Sequence, residues 1–207
     1  MVAAVRESCG PSLVVGVRLS ASEEVVGGLT LADTLVIAEA LKAVGGTDYL
    51  SLTVGVRGSY VRDMTAAEGV AAPLAAEVGK ASRLPVLVAQ RIVSPAQAEK
   101  ILSDGQADLI GLARALIADP QWASKAKRGE AQRIRPCVAC LQDCRIRTDG
   151  VGCVHNPAAA RERQWGLALP ARAKGKRVVV VGAGARRPGS RAGGRQLRPP
   201  SARVRAL

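Results

Sequence analysis

Four cysteines lie within seventeen residues, at Cys137, Cys140, Cys144 and Cys153, and the chain has only one other, Cys9. Their spacing is C-x2-C-x3-C-x8-C. Thiolates this close together in a chain without an export signal are most often metal ligands. The three-residue gap after the first pair suits an iron–sulfur corner in which each thiolate binds one iron of a cubane. A zinc site, which more often has two C-x2-C knuckles and a longer spacer, and unligated thiols are the alternatives.

Three arginines form a second candidate site. Arg18, Arg91 and Arg114 are each predicted at, or just beyond, the carboxyl end of a strand, where a (β/α) barrel places its ligand-binding groups. Any one of them could be a solvated loop residue. Three in the same relative position, the last two on consecutive strands, favour an anionic ligand such as a phosphate.

A third pattern lies near the C-terminus. The string KRVVVVGAG is typical of the first strand and turn of a dinucleotide-binding fold, with Gly182 and Gly184 as its opening G-x-G. The third glycine would fall where Arg187 stands, and Pro188 then blocks the helix whose N-terminus would receive a pyrophosphate. The Arg, Gly, Pro and Ser residues that follow have no apolar periodicity, which predicts a disordered basic tail.

Alternating strands and helices must position the first two sites. Strands are predicted at Leu13–Arg18, Tyr49–Thr53, Pro85–Val88 and Leu109–Leu112. Helices are predicted at Leu31–Val44, Ala71–Lys80, from Pro95 to about Leu102, and from Pro120 to Arg128. A capping box of Thr30 and Asp33 starts the first of these helices and Gly45 stops it, while Ser94 caps the third.

This rhythm predicts an α/β fold with βαβ crossovers and a parallel sheet. A small doubly wound domain would have the same rhythm, and the positions of the three arginines favour a barrel instead. The hydrophobic fraction of 48% allows a buried core, and the absence of Phe means that Val, Leu, Ile and Ala must build it. That composition fits parallel strands covered by helices.

Charge and hydropathy exclude several classes of function. The net charge is +13, but residues 171–207 contain eleven Lys or Arg and no acid, which leaves only +2 for residues 1–170. A basic tail without aromatic residues would bind polyanions weakly, so we expect no specific nucleic-acid partner. No run of about 18 apolar residues and no signal-type apolar core exist, so we expect a cytoplasmic protein without a membrane contact.

Several strings resemble the iron–sulfur branch of the old yellow enzyme family, to which bacterial 2,4-dienoyl-CoA reductase and trimethylamine dehydrogenase belong. The strings are VVGVRLS, LPVLVAQRIVSPAQAEKIL, ADLIGLARALIADP, IRPCVACLQDC and CVHNP. They occur in the family's order, and the resemblance as a whole covers about residues 13–184. The sequence around the cysteines is most similar to that of members associated with mycofactocin biosynthesis.

The resemblance implies a flavin-binding (β/α)8 TIM barrel with FMN, a following [4Fe-4S] segment, and a C-terminal region for FAD and NAD(P)H. It implies that Arg18 lies against the pyrimidine end of the flavin, and that Arg91, Gly111 and Arg114 cradle the FMN phosphate. The cluster ligands would be the four clustered cysteines. The last spacer, of eight residues, is shorter than the family's.

Two departures from the family pattern limit the expected activity. The chain begins at what resembles the fifth barrel strand, so the first half of the barrel, with its catalytic tyrosine, has no counterpart. The histidine acid expected after the sixth strand is also absent, and that loop carries Arg57, Tyr60 and Arg62. Tyr60 could donate a proton, although an exposed loop tyrosine is the simpler interpretation. His155, the only histidine, lies beside the cysteines and is expected to be non-catalytic.

We therefore predict the C-terminal half of a TIM barrel over residues 1–130, a four-cysteine segment over 131–170, a truncated dinucleotide-binding start over 171–185, and a disordered tail over 186–207. The expected function is that of a fragment of an NAD(P)H-dependent FMN/[4Fe-4S] oxidoreductase acting on an enone- or dienoyl-like small molecule. Its expected partner is the missing half-barrel or a second copy, because half a barrel leaves strand edges unpaired. The alternative is an inactive remnant, truncated or frameshifted, that at most binds a metal cluster.

Overall fold

The computed structural model describes residues 1–145 and 150–167. The chain divides into two compact units, Met1–Leu141 and Gln142–Leu207. The first unit contains strands β1 (Gly16–Ser22), β2 (Tyr49–Val54), β3 (Val86–Val88) and β4 (Leu109–Ile110). It also contains helices α1 (Val2–Cys9), α2 (Leu31–Val44), α3 (Ala72–Ser82), α4 (Pro95–Ser103), α5 (Arg114–Ala118) and α6 (Trp122–Lys127), followed by a 3-10 turn at Ala131–Arg133.

The four strands form one parallel sheet in the order β1-β2-β3-β4. One row of the register runs from Arg18 through Ser51 and Leu87 to Leu109. In a doubly wound sheet the strand order reverses partway across, whereas in a barrel it follows the sequence. The observed order is therefore that of consecutive barrel strands and not that of a doubly wound domain.

The two faces of the sheet have different environments. One face carries Leu50, Leu52, Val54, Val86 and Val88, all at most 1% exposed. Helices α2 and α3 supply small residues to the same core, which explains how a chain without Phe fills it. The opposite face carries the row from Arg18 to Leu109, whose two end members are exposed. The apolar core thus lies on the helical side of the sheet.

Helix α2 begins and ends as predicted. The Thr30 hydroxyl accepts a hydrogen bond from the Asp33 N–H, and the Asp33 carboxylate accepts one from the Thr30 N–H. The Thr30 hydroxyl also donates to the Asp33 carboxylate at 2.6 Å, and this bond, followed by that from the Thr30 N–H, lowers the pKa of Asp33. Gly45 ends the helix with φ 76°, a left-handed value that favours glycine. Ser94 caps α4 by accepting from the Gln97 N–H at 3.2 Å, as also predicted.

Two aspartates each join the amino end of one strand to that of its neighbour, and both do so with the same pair of hydrogen bonds. The Asp108 N–H donates to the Val86 carbonyl at 2.9 Å, and the Asp108 carboxylate accepts from the Val86 N–H at 2.7 Å. Asp48 makes the same pair of bonds with Val15, at 2.8 Å and 2.6 Å. The bond from the Val15 N–H and the neighbouring Arg6 side chain lower the pKa of Asp48. Asp48 therefore joins the amino ends of β1 and β2, and Asp108 joins those of β3 and β4.

The prediction for the first strand was wrong at both ends. The apolar Leu13 and Val14 are 48% and 69% exposed, and the strand begins only at Gly16 and continues to Ser22. Arg18 consequently lies in the interior of β1 and not at its carboxyl end. Helices α1 and α5 were not predicted.

The described part of the second unit, residues 142–145 and 150–167, contains one short helix, α7 (Glu162–Trp165). The Arg161 guanidinium stacks on the Trp165 ring at 5.0 Å. Asn156 is 1% exposed, and its side-chain oxygen accepts from the Ala158 N–H at 3.2 Å. Gly182 and Gly184 lie outside the described residues. Throughout the described ranges, no helix has the length and apolar character needed to cross a bilayer.

Candidate functional site

The candidate site of the first unit lies at the carboxyl edge of the sheet, where the loop between β2 and α3 (residues 55–71, the β2–α3 loop) is held by side chains from the next strands. Gln90 accepts from the Val54 N–H at 2.7 Å and donates to the Val54 carbonyl at 2.7 Å. The same amide also donates to the Tyr60 carbonyl at 2.6 Å. Gln90 thus extends the ladder from β2 and ties down the loop with one side chain.

Arg91 follows in a left-handed backbone conformation, with φ 54°. Its Nε donates to the Ala66 carbonyl at 3.3 Å, and its Nη2 lies 4.0 Å from a Glu68 carboxylate oxygen. The Arg91 carbonyl accepts from the Gly69 N–H and from the Gln97 side chain, both at 3.1 Å. With its side chain only 9% exposed, Arg91 is largely covered by the β2–α3 loop.

Arg114 begins α5 and reaches the same loop, because its Nη1 donates to the Arg62 carbonyl at 2.6 Å. A guanidinium has five N–H donors, and this bond uses one of them. Arg62 is itself ion-paired with Glu24 of the loop after β1. The structure therefore brings Arg91 and Arg114 to one edge of the sheet. This donor set fits a phosphate, since arginine binds phosphate oxygens through several N–H groups.

Gly111 follows β4 at this edge, where an added side chain would crowd two neighbouring side chains. Its N–H donates to the Val88 carbonyl at 2.8 Å. A Cβ atom at this position would lie 2.9 Å from Leu87 Cδ2 and 3.2 Å from Ala89 Cβ. The glycine therefore allows the chain after β4 to lie close to β3 and the residue that follows it.

The other residues of this unit that were predicted to form the site lie away from Arg91 and Arg114 or on the surface. Arg18 is exposed on the face of the sheet opposite the helices, which we call the open face, and is in register with Ser51. Tyr60 is 41% exposed on the β2–α3 loop, and a catalytic role for it stays a prediction. Asp63, on the same loop, has a pKa lowered by hydrogen bonds from Thr65, the hydroxyl bond first.

The first two cysteines lie at the end of the first unit, and both are partly exposed. Ala139 and Leu141, on either side of Cys140, adopt left-handed φ values of 52° and 57°. Alternating right- and left-handed residues turn successive N–H groups toward one side of the chain, as in the anion-binding nests of many iron–sulfur sites. Non-glycine residues adopt the left-handed conformation rarely. The backbone around Cys140 therefore fits a thiolate that binds metal.

A buried ion pair precedes these cysteines. Asp119 is 1% exposed, and its carboxylate accepts from Lys125 Nζ at 2.5 Å and from the N–H groups of Gln121 and Arg135, each at 3.0 Å. Burial opposes the ionisation of Asp119, but these hydrogen bonds, led by that of Lys125, outweigh it and lower its pKa.

The other two cysteines belong to the second unit, where Cys144 and Cys153 are partly exposed. The Cys153 carbonyl accepts from the Asn156 N–H at 3.2 Å, and the Gly152 N–H donates to the Asp143 carbonyl at 3.3 Å. His155 is exposed. Within residues 1–145 and 150–167, no group of three or more His, Cys, Asp or Glu side chains is placed to hold a metal ion. The four-cysteine cluster therefore stays a prediction.

Three residues that the sequence analysis did not single out are central to the site: Gln90, Asp119 and Lys125. Gln90 precedes Arg91 in a strand-end loop, which was a usable signal. The ion pair spans six residues across a helix start, a spacing that matches no helical or strand periodicity, so no pattern indicated it.

Comparison with known proteins gives consistent matches. The model of the NADH:flavin oxidoreductase / NADH oxidase family matches residues 1–133. The chain is 36% identical over 190 residues to a metal reductase of Desulforamulus reducens and 35% identical over 192 residues to an NADH oxidase of Thermoanaerobacter brockii. These alignments cover 89% and 87% of this chain, and 28% of each relative. The solved structure of a 2-naphthoyl-CoA reductase complex superposes with a TM-score of 0.76 at 30% identity, over 88% of this chain and 29% of that one.

Proposed function

Because the chain belongs to the NADH:flavin oxidoreductase / NADH oxidase family, we propose that it is part of an oxidoreductase that uses FMN and a [4Fe-4S] cluster. In this proposal the intact enzyme would take its electrons from NAD(P)H, the cluster would supply one-electron transfer to the flavin, and an enone- or dienoyl-like small molecule would be the substrate. The chain spans about 28% of the length of the metal reductase and the NADH oxidase that it matches. The activity, substrate and partners of a whole enzyme are therefore part of the proposal.

One observation carries it: an arginine pair suited to phosphate and a cysteine knuckle suited to a metal lie in one compact unit, in the order that the family's iron–sulfur branch requires. Arg91 and Arg114 follow consecutive strands at the carboxyl edge. Cys140 comes later in the same unit, between two left-handed residues. A basic surface loop alone would explain the arginines but not this backbone around Cys140.

The chain's residues would divide the work as follows. Arg114, together with Arg91, would neutralise the FMN phosphate, and Gly111 would let the two loops close around it. Arg18, on the open face of the sheet, would lie against the pyrimidine end of the ring. When bound, FMN supplies hydride transfer and the cluster supplies one-electron transfer. Cys137, Cys140, Cys144 and Cys153 would hold the cluster, while Gly182 and Gly184 would belong to an FAD or NAD(P)H site.

A partner for the open sheet face completes the proposal. Among the described residues, Arg18 and Leu109 at the two ends of the row on this face are exposed, and β1 and β4 are the edge strands of the sheet. Unpaired strand edges tend to pair with further strands. We infer that the other strands of a barrel, or a second copy of this chain, cover this face.

Anaerobic reconstitution of the full chain with ferrous iron and sulfide tests the proposal. We expect iron and sulfide to bind in equal amounts with the broad visible absorbance of a cubane cluster. Cys140→Ser should lower the iron content, whereas Cys9→Ser, which changes an exposed cysteine outside the quartet, should not. Stoichiometric zinc in place of iron would overturn the cluster.

FMN binding is tested separately by quenching of flavin fluorescence. Arg114→Gln should weaken binding, and Arg133→Gln, at an exposed arginine on the 3-10 turn, should not. A chain that binds neither iron nor flavin, although folded, would favour the second candidate function, a non-catalytic remnant.

A further inference from the structure

Asp119 and Lys125 bind each other, and each also forms a hydrogen bond to the backbone near residue 134. Besides its bond to Lys125, the Asp119 carboxylate accepts from the Arg135 N–H at 3.0 Å. Lys125 Nζ donates to the Arg133 carbonyl, also at 3.0 Å. One backbone donor and one backbone acceptor, on either side of residue 134, are thus bound by the two members of a single buried pair. We call this arrangement the Asp119–Lys125 clamp.

Ile134, the residue between the two clamped groups, completes the attachment. Its backbone is extended, with φ −73° and ψ 131°, and its side chain packs against the core of the first unit. An apolar contact flanked by two charge-assisted hydrogen bonds fixes the direction of the chain as well as its position. Cys137 follows only three residues later.

The clamp is a poor source of net stability, because the desolvation of two buried charges offsets much of their attraction. An apolar pair could hold the fold equally well. What apolar side chains cannot do is bind the N–H and C=O of a passing backbone. The chemistry of the clamp is therefore suited to fixing geometry.

The other end of α5 leads to the arginine edge. This helix runs from Arg114 to Ala118, and Asp119 is the residue that ends it. With a rise of about 1.5 Å per residue, its two ends are separated by roughly 7 Å. Helix α5 thus connects Arg114, which would bind the flavin phosphate, with Asp119. The Asp119 carboxylate in turn holds the backbone just before the first two cysteines.

We propose that the Asp119–Lys125 clamp is a positioning device that holds the Cys137–Cys140 knuckle at a fixed place relative to the arginine edge. The clamp would then set the distance between flavin and cluster on which electron transfer depends. This inference rests on the proposed function. Asp119 and Lys125 are positioning residues that act through the backbone of residues 133–135.

The test compares the alkylation rates of individual cysteines in the full chain, without metal, by mass spectrometry. Asp119→Asn should speed the alkylation of Cys137 and Cys140 by up to roughly tenfold relative to Cys9, since a hydrogen bond to a charged group is worth about that factor in an opening equilibrium and both thiols are already partly exposed. Asp104→Asn is the matched control, because Asp104 forms an exposed ion pair with Lys100. It should leave all the rates unchanged.

Lys125→Gln is the second variant, in case Asp119→Asn does not fold. It keeps the carboxylate bond to the Arg135 N–H and should give a smaller acceleration, which Lys125→Arg should largely reverse. Unchanged rates at Cys137 and Cys140 in a folded Lys125→Gln chain would overturn the clamp as a positioning device.

Reconstitution with iron separates this inference from the proposed function. If the unmodified chain assembles a cluster, Asp119→Asn should alter its reduced-state paramagnetic resonance spectrum, and an unaltered spectrum with unaltered alkylation refutes the clamp alone. If the unmodified chain assembles no cluster while the alkylation of the knuckle still responds to Asp119→Asn, the clamp stands and the proposed function fails.

Discussion

Replacing Gln90 with glutamate changes one NH2 group into an oxygen and keeps the shape of the side chain. The acceptor bond from the Val54 N–H can persist. The two donor bonds, to the carbonyls of Val54 and Tyr60, are lost. In their place, a carboxylate oxygen faces two carbonyl oxygens, so the substitution removes attraction and adds repulsion at one point.

The loss can be estimated from the burial of the two carbonyl groups. Val54 is fully buried, so its carbonyl is left without water, which costs about 1–3 kcal/mol. Tyr60 is 41% exposed, so water can replace part of its lost bond, and we expect about 0.5–1.5 kcal/mol there. We expect Gln90→Glu to lower the free energy of unfolding by about 2–4 kcal/mol near neutral pH, a large part of a typical domain's stability.

The loss should also depend on pH with a definite sign. Burial and the two carbonyl oxygens disfavour the charged carboxylate, so the pKa of the introduced glutamate is raised in the folded state above its unfolded value. A raised acid pKa means that the folded chain binds more protons, and stability therefore falls as the pH rises. The variant should be less destabilised at pH 5 than at pH 8, because a protonated carboxyl can donate to one of the carbonyls.

Urea unfolding followed by circular dichroism, at both pH values, measures the effect. Gln132→Glu is the control, since Gln132 is exposed on the 3-10 turn and undergoes the same change of charge. A Gln90→Glu chain as stable as the control at pH 8 would refute the assignment of Gln90 as the link between β2, β3 and the β2–α3 loop.

Three further predictions concern the core, a cap and pH. Leu52→Ala, at a fully buried site, should cost about 2–5 kcal/mol in urea unfolding, and Leu109→Ala, at a site 47% exposed, much less; equal losses would contradict the one-sided core. Ser94→Ala should cost about 1 kcal/mol in the same assay, and Ser103→Ala, at the other end of α4, less. Because the folded-state pKa of Asp119 is lowered, its contribution to stability is present above its unfolded pKa and is lost as the pH falls through the folded value. A thermal melting series in acid should show a weaker dependence on pH for Asp119→Asn than for Asp104→Asn.

Local signals predicted those elements whose limits are set by local bonds. The bounds of α2 follow from its capping box and from Gly45, which act within a few residues. The start of α4 follows from Ser94 in the same way. The first strand was misplaced because Leu13 and Val14 are as apolar as strand residues but are exposed, and only pairing with β2 decides where the strand begins. The limits of a strand that are set by pairing with a distant segment cannot be predicted from the residues of that strand alone.

The candidate site was predictable in its residue types but not in its contacts. Arg91 and Arg114 were recognised from their position after consecutive strands. Their hydrogen bonds to the carbonyls of Ala66 and Arg62 depend on the path of the β2–α3 loop, and backbone carbonyls carry no sequence signal. Asp119 was missed for the same reason, because one of its partners is the backbone N–H of Arg135, sixteen positions later.

The aspartates at the amino ends of the strands have a consequence for how such a sheet can diversify. Asp48 and Asp108 fix the alignment of adjacent strands from the end opposite to the arginines. A strand that slips by one residue would turn its inner side chains outward, so alignment is the property on which a sheet depends most. With alignment secured at one end, loops at the other can change in length and composition without disturbing it. New ligand preferences can then arise on this scaffold through loop substitutions alone.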